Sequence, residues 1–535
     1  MKKYAYIPLI FFIALALRLY PTLVSGLPYS TDGWGSIRNA EGLMKYSPIS
    51  LDNHTIFDGY HSYWPANSLF GAVLSYATGL NVMNAMAVGI PAAGAIAIII
   101  FYAIVAKISK NHELALFASF ILAVAYPNVL FTAGVTKETY ATPIYLLAIL
   151  LAIRHEKWRE IALFAVASAA LVMSHHLLAL VALAFLASLT LADLLNSFKR
   201  GFTMGRMGFI PLSILTFAVA LYFGVYAYNG LKVKGFLTFS DLLSAISYQV
   251  VTFAVASYYV LKNPRPSRAR TSILCFASVV IVSFTAFMCT GRVIIPGAPV
   301  LPSRYVLYAI PFIVASPLLV LGIGETAKMD GKNRLAPIFW LATLLGLKAY
   351  AIFGDSPFGF TLAYRTLNLL TVPLAILCAF GIHRLASAYK DHKMTRLSRI
   401  MAGALILTIG ASNIYAVYAS VVLQERYLGY FWLYTRAEFR AAEWLLPLAS
   451  GHIAGDVKFQ YLIKEYFRVD VDVLQGLRYL YGEGARPHVL ITYNRMMENG
   501  YVVYGGYSAD LPENWTQRVS IMDQVYSNGF VNVHH

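Results

Sequence analysis

Residues 6–46 read YIPLIFFIALALRLYPTLVSGLPYSTDGWGSIRNAEGLMKY. The part up to Val24 is an apolar run long enough to cross a bilayer, since about 20 helical residues span about 30 Å of hydrocarbon. Lys2 and Lys3 precede it and no small-x-small cleavage pattern follows, so it reads as a retained first span rather than a removed leader. The second part, YSTDGWGSIRNAEGLMKY, sets Asp32, Arg38, Glu41 and three glycines directly against the outer end of that span. A charged, glycine-bearing segment in that place calls for a reason.

The rest of the chain fixes the class. It has 535 residues, 58% hydrophobic and 13% charged, and a mean hydropathy of +0.61, which excludes a water-soluble globule with one core. The formal charge of +16 is carried in short basic clusters between apolar runs, where positive charge sets membrane orientation. No nucleic-acid partner is expected. Cys275, Cys289 and Cys378 all lie inside apolar runs, which points to neither a disulfide framework nor a Cys-based metal site.

A span-length window finds about 13 candidate transmembrane helices, of which those near 138, 159 and 335 are short. With the N-terminus cytoplasmic, the inside segments 1–3, 107–112, 154–159, 196–206, 262–270, 325–334 and 386–399 carry 21 of the 42 Lys and Arg residues. The short outside loops hold only about eight. The outer face then receives the 25–82 loop, TKETY (136–140), SHH (174–176), GRVIIPGAPVLPSR (291–304) and GDSPFGFTLAYR (354–365). Two N-x-T sequons, at Asn53 and Asn514, fall on the same side.

Past residue 422 the pattern changes. ERYLGYFWLYTRAEFRAAEWLLPLA predicts an amphipathic helix, GHIAGDVKFQYLI and VDVDVL short strands, and RPHVLITYNRMMENGYVVYG a strand followed by a hairpin or helical piece. Residues 423–535 are enough for a small external α/β domain beside a membrane domain of residues 1–422. No internal repeat is evident, which weighs against transporter folds built from two matched halves.

A first span followed by YSTDGWGS, a second external turn TKETY, about 13 spans and an external C-terminal domain together resemble the GT-C membrane glycosyltransferases. Within them the chain is similar to archaeal polyprenyl-phosphate-sugar-dependent enzymes and, more distantly, to the oligosaccharyltransferase catalytic subunit. The WWDYG motif of the latter is absent, and YSTDGWGS carries a single Asp rather than Asp-x-Asp. The resemblance implies a polytopic α-helical, GT-C-like fold and transfer of a sugar from a polyprenyl-phosphate donor to a glycan, lipid or protein acceptor at the outer face of the bilayer. It places a catalytic or metal-binding acid at Asp32 and a second at Glu138, with a divalent cation, Mg or Mn, as the possible cofactor.

The chemistry suits these residue types. Inverting transfer needs a base for the acceptor hydroxyl and positive charge for the departing phosphate. Arg donates to phosphate through a planar fork and stays charged, and Arg292, Arg304 and Arg365 lie at external span ends. Lys348 sits within a span, about one turn from its outer end, where a charge is costly and often functional. His175, His176, Lys137 and Asn368 are further candidates, Asn368 sharing a helix face with Arg365. Asp52, His54, Asp58 and His61 form a loose acid/His set in the first loop.

Each has a plainer alternative. Asp32 can be a helix N-cap and Glu138 a first-turn helix charge. The arginines and Lys348 can be snorkelling anchors, and the adjacent histidines, about 100° apart on a helix, suit a polar turn better than one metal. A flippase or transporter of lipid-linked sugars is the rival function, and it predicts polar residues lining the midplane.

Overall fold

The computed structural model describes residues 6–46, 60–154, 157–199, 209–233, 238–262, 267–294, 298–326, 329, 335–354, 359–387, 392–448 and 452–535. Asp52, His54 and Asp58 of the loose acid/His set, and the Asn53 sequon, lie outside them.

Apolar runs bounded by polar or Pro/Gly breaks form helices in the order α1 (Tyr6–Ser25), α2 (Gly33–Lys45), α3 (Ala66–Thr78), α4 (Val82–Ser109), α5 (His112–Val124), α6 (Tyr126–Ala133), α7 (Lys137–Arg154), α8 (Trp158–Ser174), α9 (His176–Lys199), α10 (Phe209–Leu221), α11 (Tyr228–Val233), α12 (Phe239–Lys262), α13 (Arg268–Met288), α14 (Ile310–Thr326), α15 (Leu335–Phe353), α16 (Gly359–Ala386) and α17 (His392–Tyr418). Among the described residues ten helices are long and apolar enough to cross a membrane, or eleven when the bent pair α5 and α6 counts as one span. The expectation is about 13; α7, whose 18 residues include Lys137, Glu138 and Arg154, and α8, with 17 residues, are not among these candidate spans.

The chain packs as two compact units: one from Met1–Leu17, Ala93–Thr132 and Tyr140–Ala416, the other from Arg18–Ala92, Ala133–Thr139 and Val417–His535. In the first, α14 and α16 approach through glycines. A Cβ on Gly322 would overlap the carbonyl oxygen of Leu377, and one on Gly381 that of Leu318. This is how helices associate where lipid removes the hydrophobic drive between them. Trp340 of α15 is buried against Phe185 of α9, with ring centroids 5.1 Å apart, and its indole N–H donates to the Tyr145 hydroxyl of α7 at 2.8 Å.

α5 and α6 meet at 61°. Pro127 stands one residue inside α6 and cannot donate a backbone hydrogen bond, while Ala125 leaves the helical region at φ −55°, ψ 108°. The amide of Tyr126 turns instead to the buried side chain of Asn413 in α17, donating to its Oδ1 at 2.8 Å. A break within a span persists when a neighbouring side chain satisfies the released backbone groups.

The second unit holds the strands β1 (Ile453–Ala454), β2 (Val471–Asp472), β3 (Val489–Tyr493), β4 (Tyr501–Tyr504), β5 (Tyr507–Ala509), β6 (Gln524–Ser527) and β7 (Val531–His534). Five of them form a sheet in the order β2-β1-β3-β7-β6, with β1 parallel to β2 and β3 and the β3–β7 and β7–β6 pairs antiparallel; β4 and β5 form a hairpin. The small C-terminal α/β region is thus present, but three segments differ from their sequence reading. In GHIAGDVKFQYLI only Ile453–Ala454 is strand. Asp456 then accepts from the Phe459 amide at 2.9 Å and starts α19 (Val457–Gln460), which runs into a π-helical turn, Tyr461–Phe467. In VDVDVL the strand stops at Asp472, whose carboxylate caps α20 (Val473–Tyr481). The expected amphipathic helix from 425 begins only at Arg436, as α18 (Arg436–Leu445), because Thr435 and Glu438 form a capping box that fixes its start. Residues 426–432 are turns, and the segment up to 434 buries Tyr430, Phe431, Leu433 and Tyr434.

Candidate active site

Tyr29–Gly33 is a tight turn stitched to two distant segments. Ser30 has φ 88°, a conformation that is costly for a non-glycine residue and is kept where surrounding structure enforces it. Its amide donates to the Trp432 carbonyl at 2.9 Å, and the Val135 amide donates to the Tyr29 carbonyl at 3.0 Å. A Cβ on Gly134 would lie 2.8 Å from the Ser30 Cβ, and one on Gly33 3.0 Å from the Val135 carbonyl oxygen. The YSTDG and GVTKE turns therefore touch backbone to backbone, and glycine at both contacts is what permits it. This brings together the stretches that carry Asp32 and Glu138.

Asp32 stands at the N-cap position of α2, and there the capping alternative fails. A capping residue takes β-region angles and accepts from the amides one turn in, whereas Asp32 has φ −70°, ψ −6° and makes no side-chain cap hydrogen bond. It is exposed while Thr31, Gly33 and Trp34 around it are buried. Trp34 anchors the turn, its ring 5.1 Å from Tyr434 edge-on, 5.8 Å from Phe439 stacked and 5.6 Å from Tyr466.

On the facing turn, the oxygen that caps α7 is Thr136 Oγ1, which accepts from the Thr139 amide at 3.0 Å. Glu138 is buried in the first turn of α7, where negative charge complements the helix dipole. Lys137 is buried with its ammonium 4.3 Å from the Tyr60 ring centroid. Further along α2, Glu41 accepts from the Tyr466 hydroxyl at 3.0 Å. Burial pushes the Glu41 carboxyl above its ordinary range, against the lowering effects of that bond and of Arg38.

Behind Trp34 lies a buried ionic cluster. Lys458 pairs with Glu438 at 2.5 Å, with side chains 2% and 5% exposed, and its ammonium faces the rings of Tyr430, Tyr434 and Tyr493 at 4.4, 5.4 and 5.7 Å. Asp456 beside it is fully buried, and burial raises its carboxyl to about 7 despite the Phe459 amide and Lys458.

The other predicted residues belong to the first unit. Lys348 of α15 donates to the Ala363 carbonyl of α16 at 2.6 Å, and Thr366 donates to the same oxygen at 3.0 Å. Arg365 follows two residues later, half-buried. Asn368 accepts from the Asn128 amide group at 2.8 Å, so its carboxamide oxygen is engaged within the helix bundle. Arg292 and Arg304 are exposed, with the Arg304 guanidinium 6.0 Å from the Tyr305 ring. His175 is a buried turn residue whose Nδ1 accepts from the Leu178 amide at 3.3 Å at the start of α9, its ring stacked on His176 at 5.0 Å. Sequence reasoning passed over Arg18, a fully buried arginine inside α1. Its signal was available, since a cation within an apolar span is a functional-site candidate by default. Among the described residues no group of three or more His, Cys, Asp or Glu side chains is placed to hold a metal ion.

No protein-family model matches the chain, and no curated protein matches it in sequence. Its fold, however, is similar to that of solved structures. The archaeal oligosaccharyltransferase AglB from Archaeoglobus fulgidus, in complex with an inhibitory peptide and a dolichol-phosphate, superimposes with a TM-score of 0.55 at 12% identity, covering 93% of this chain and 70% of that one. The same protein with Zn and sulfate gives 0.51 at 12% identity over 91% and 68%. ArnT from Cupriavidus metallidurans in the apo state gives 0.51 at 10% identity over 100% and 98%. These are GT-C superfamily membrane proteins, and the fold here is the GT-C fold, with a small C-terminal sheet region.

Proposed function

We propose that this chain is a membrane glycosyltransferase that moves a sugar from a polyprenyl-phosphate carrier to an acceptor on the outer face of the membrane, with the N-terminus cytoplasmic and residues 423–535 external. The observation that carries the reading is Asp32: an exposed carboxylate at a helix start that does not cap the helix, on a strained turn pinned to Gly134 and Val135, just before Glu138. A solvent-exposed carboxylate is the group type that takes the proton of an acceptor hydroxyl.

In the proposed reaction Asp32 accepts the proton of the acceptor hydroxyl as its oxygen attacks the anomeric carbon, the bond to the carrier phosphate breaks, and the phosphate leaves from the opposite face with inversion. Glu138 and Lys137 sit on the adjoining turn, where they set the local charge. Arg292, Arg304, Arg365 and Lys348 are proposed to offset the charge of the leaving phosphate. The oxygen chemistry of Asp32 and Glu138 is also that of a Mg or Mn site completed by water and phosphate, and such an ion would supply further positive charge there. The acceptor is a hydroxyl of a glycan, lipid or protein, and the sugar a hexose or pentose.

The test is transfer from a radiolabelled polyprenyl-phosphate sugar to membrane acceptors, with and without chelator, in wild type and Asp32→Asn. Asn keeps shape and hydrogen bonding but removes the base, so turnover should fall by about 100-fold or more in a folded protein. An active, normally expressed Asp32→Asn protein would end the catalytic assignment.

A further inference from the structure

The first turn of α2 is met by side chains from elsewhere in its unit. Three residues beyond Asp32, an ideal Cβ on Gly35 would lie 2.9 Å from His61 Nε2 and 3.1 Å from Glu465 Oε2. A carboxylate and an imidazole therefore sit over the start of α2, and glycine is the residue that admits them. Glu465 comes from the π-helical turn Tyr461–Phe467, a geometry that recurs at functional positions. The next residue, Tyr466, packs on Trp34 at 5.6 Å and donates to Glu41 at 3.0 Å. Two consecutive residues of one turn thus grip the same helix.

The first amides of a helix lack intrahelical acceptors and carry about half a unit of positive charge. At α2 the usual source of compensation is missing, because the residue in the N-cap position makes no side-chain cap bond. We propose that Glu465, supported by His61, is a positioning residue of the Asp32 site: it places an anion over the first turn of α2, and by holding that turn it orients the Asp32 carboxylate toward the substrate. The second half of this statement rests on Asp32 being the base; the first half does not.

Hydrogen exchange on the full-length protein in detergent micelles reads the first half without turnover. Peptides covering residues 33–40 should exchange about fivefold faster in Glu465→Gln than in wild type and be little changed in Asp32→Ala. The opposite pattern, with protection lost in Asp32→Ala and kept in Glu465→Gln, overturns the proposal. Glu465→Asp keeps the charge on a shorter arm and should recover part of the protection. No recovery at all would mean that packing rather than charge holds the turn, which also overturns it.

Kinetics read the second half. Glu465→Gln should lower kcat about tenfold with both KM values within about twofold, and the Asp32→Asn/Glu465→Gln pair should be no slower than Asp32→Asn alone. Losses that multiply in the double variant would make Glu465 independent of Asp32 and refute its positioning role. Full turnover in Asp32→Asn would instead remove the catalytic reading while leaving the exchange result standing.

Discussion

Replacing Lys458 by Met tests how the floor beneath Trp34 is held. Met fills nearly the same volume without the ammonium, so packing is kept and charge is lost. Lys458 and Glu438 are 2% and 5% exposed and paired at 2.5 Å, so the variant would leave Glu438 buried with only the Thr435 amide and hydroxyl, at 2.6 and 3.0 Å, to satisfy it. Removing one partner of a buried pair typically costs about 3–5 kcal/mol. The three tyrosine rings facing the ammonium add a contribution of about 1 kcal/mol. For a unit of roughly 200 residues, where 1 kcal/mol moves the midpoint by about 2–4 °C, unfolding should occur about 10 °C lower. Intrinsic tryptophan fluorescence on heating in micelles reads this, since Trp34, Trp432, Trp444 and Trp515 all lie in that unit. The decisive comparison is Lys458→Met/Glu438→Gln, because Gln preserves the capping box and removes the stranded charge, so most of the loss should return. A single variant within about 2 °C of wild type, or a double variant no better than the single, would refute the argument.

Asp456→Asn should change how stability depends on pH. Burial raises the Asp456 carboxyl from 3.8 to about 7, so between those values the unfolded chain ionises while the folded one stays neutral. Its contribution is greatest at low pH and is lost as pH rises through that window, by on the order of 4 kcal/mol. The midpoint difference between variant and wild type should therefore widen in favour of Asn from pH 4.5 to 7.5, and a constant difference would exclude the shifted carboxyl. Arg304→Ala and Arg365→Ala should raise donor KM by about tenfold while acceptor KM stays within about twofold; unchanged donor dependence in initial-rate assays would make both residues interfacial anchors.

The membrane class and the GT-C fold were legible because hydropathy repeats at span length whatever the tertiary context, and because the acidic first loop and second turn occupy characteristic places along the chain. The number of spans was less so, since α7 and α8 sit at the limit of length and charge where composition cannot separate a short span from a buried helix. Asp32 was legible as a candidate, but its status as a residue that does not cap α2 depends on backbone angles that no composition reports. Glu465 was hidden for a similar reason. KFQYLI has β-forming residues and was read as a strand, yet the cap at Asp456 starts a helix there, and only its π-turn brings the carboxylate to Gly35. Asn368 was chosen for sharing a face with Arg365, whereas its partner, Asn128, is 240 residues away in sequence.

The bend between α5 and α6 has a consequence for how the chain is made. The acceptor for the Tyr126 amide is Asn413, 287 residues later, so at about 5–20 residues per second the ribosome needs roughly 15–60 s to supply it. Until then an amide inside an apolar segment has no side chain of α17 to bind, and an unsatisfied group there costs several kcal/mol. The nascent α5–α6 segment must therefore wait in another state, either straightened or shielded by water or an insertion factor, and take its final angle only when α17 arrives. In this region, then, α17 completes a bend whose residues were made 287 positions earlier.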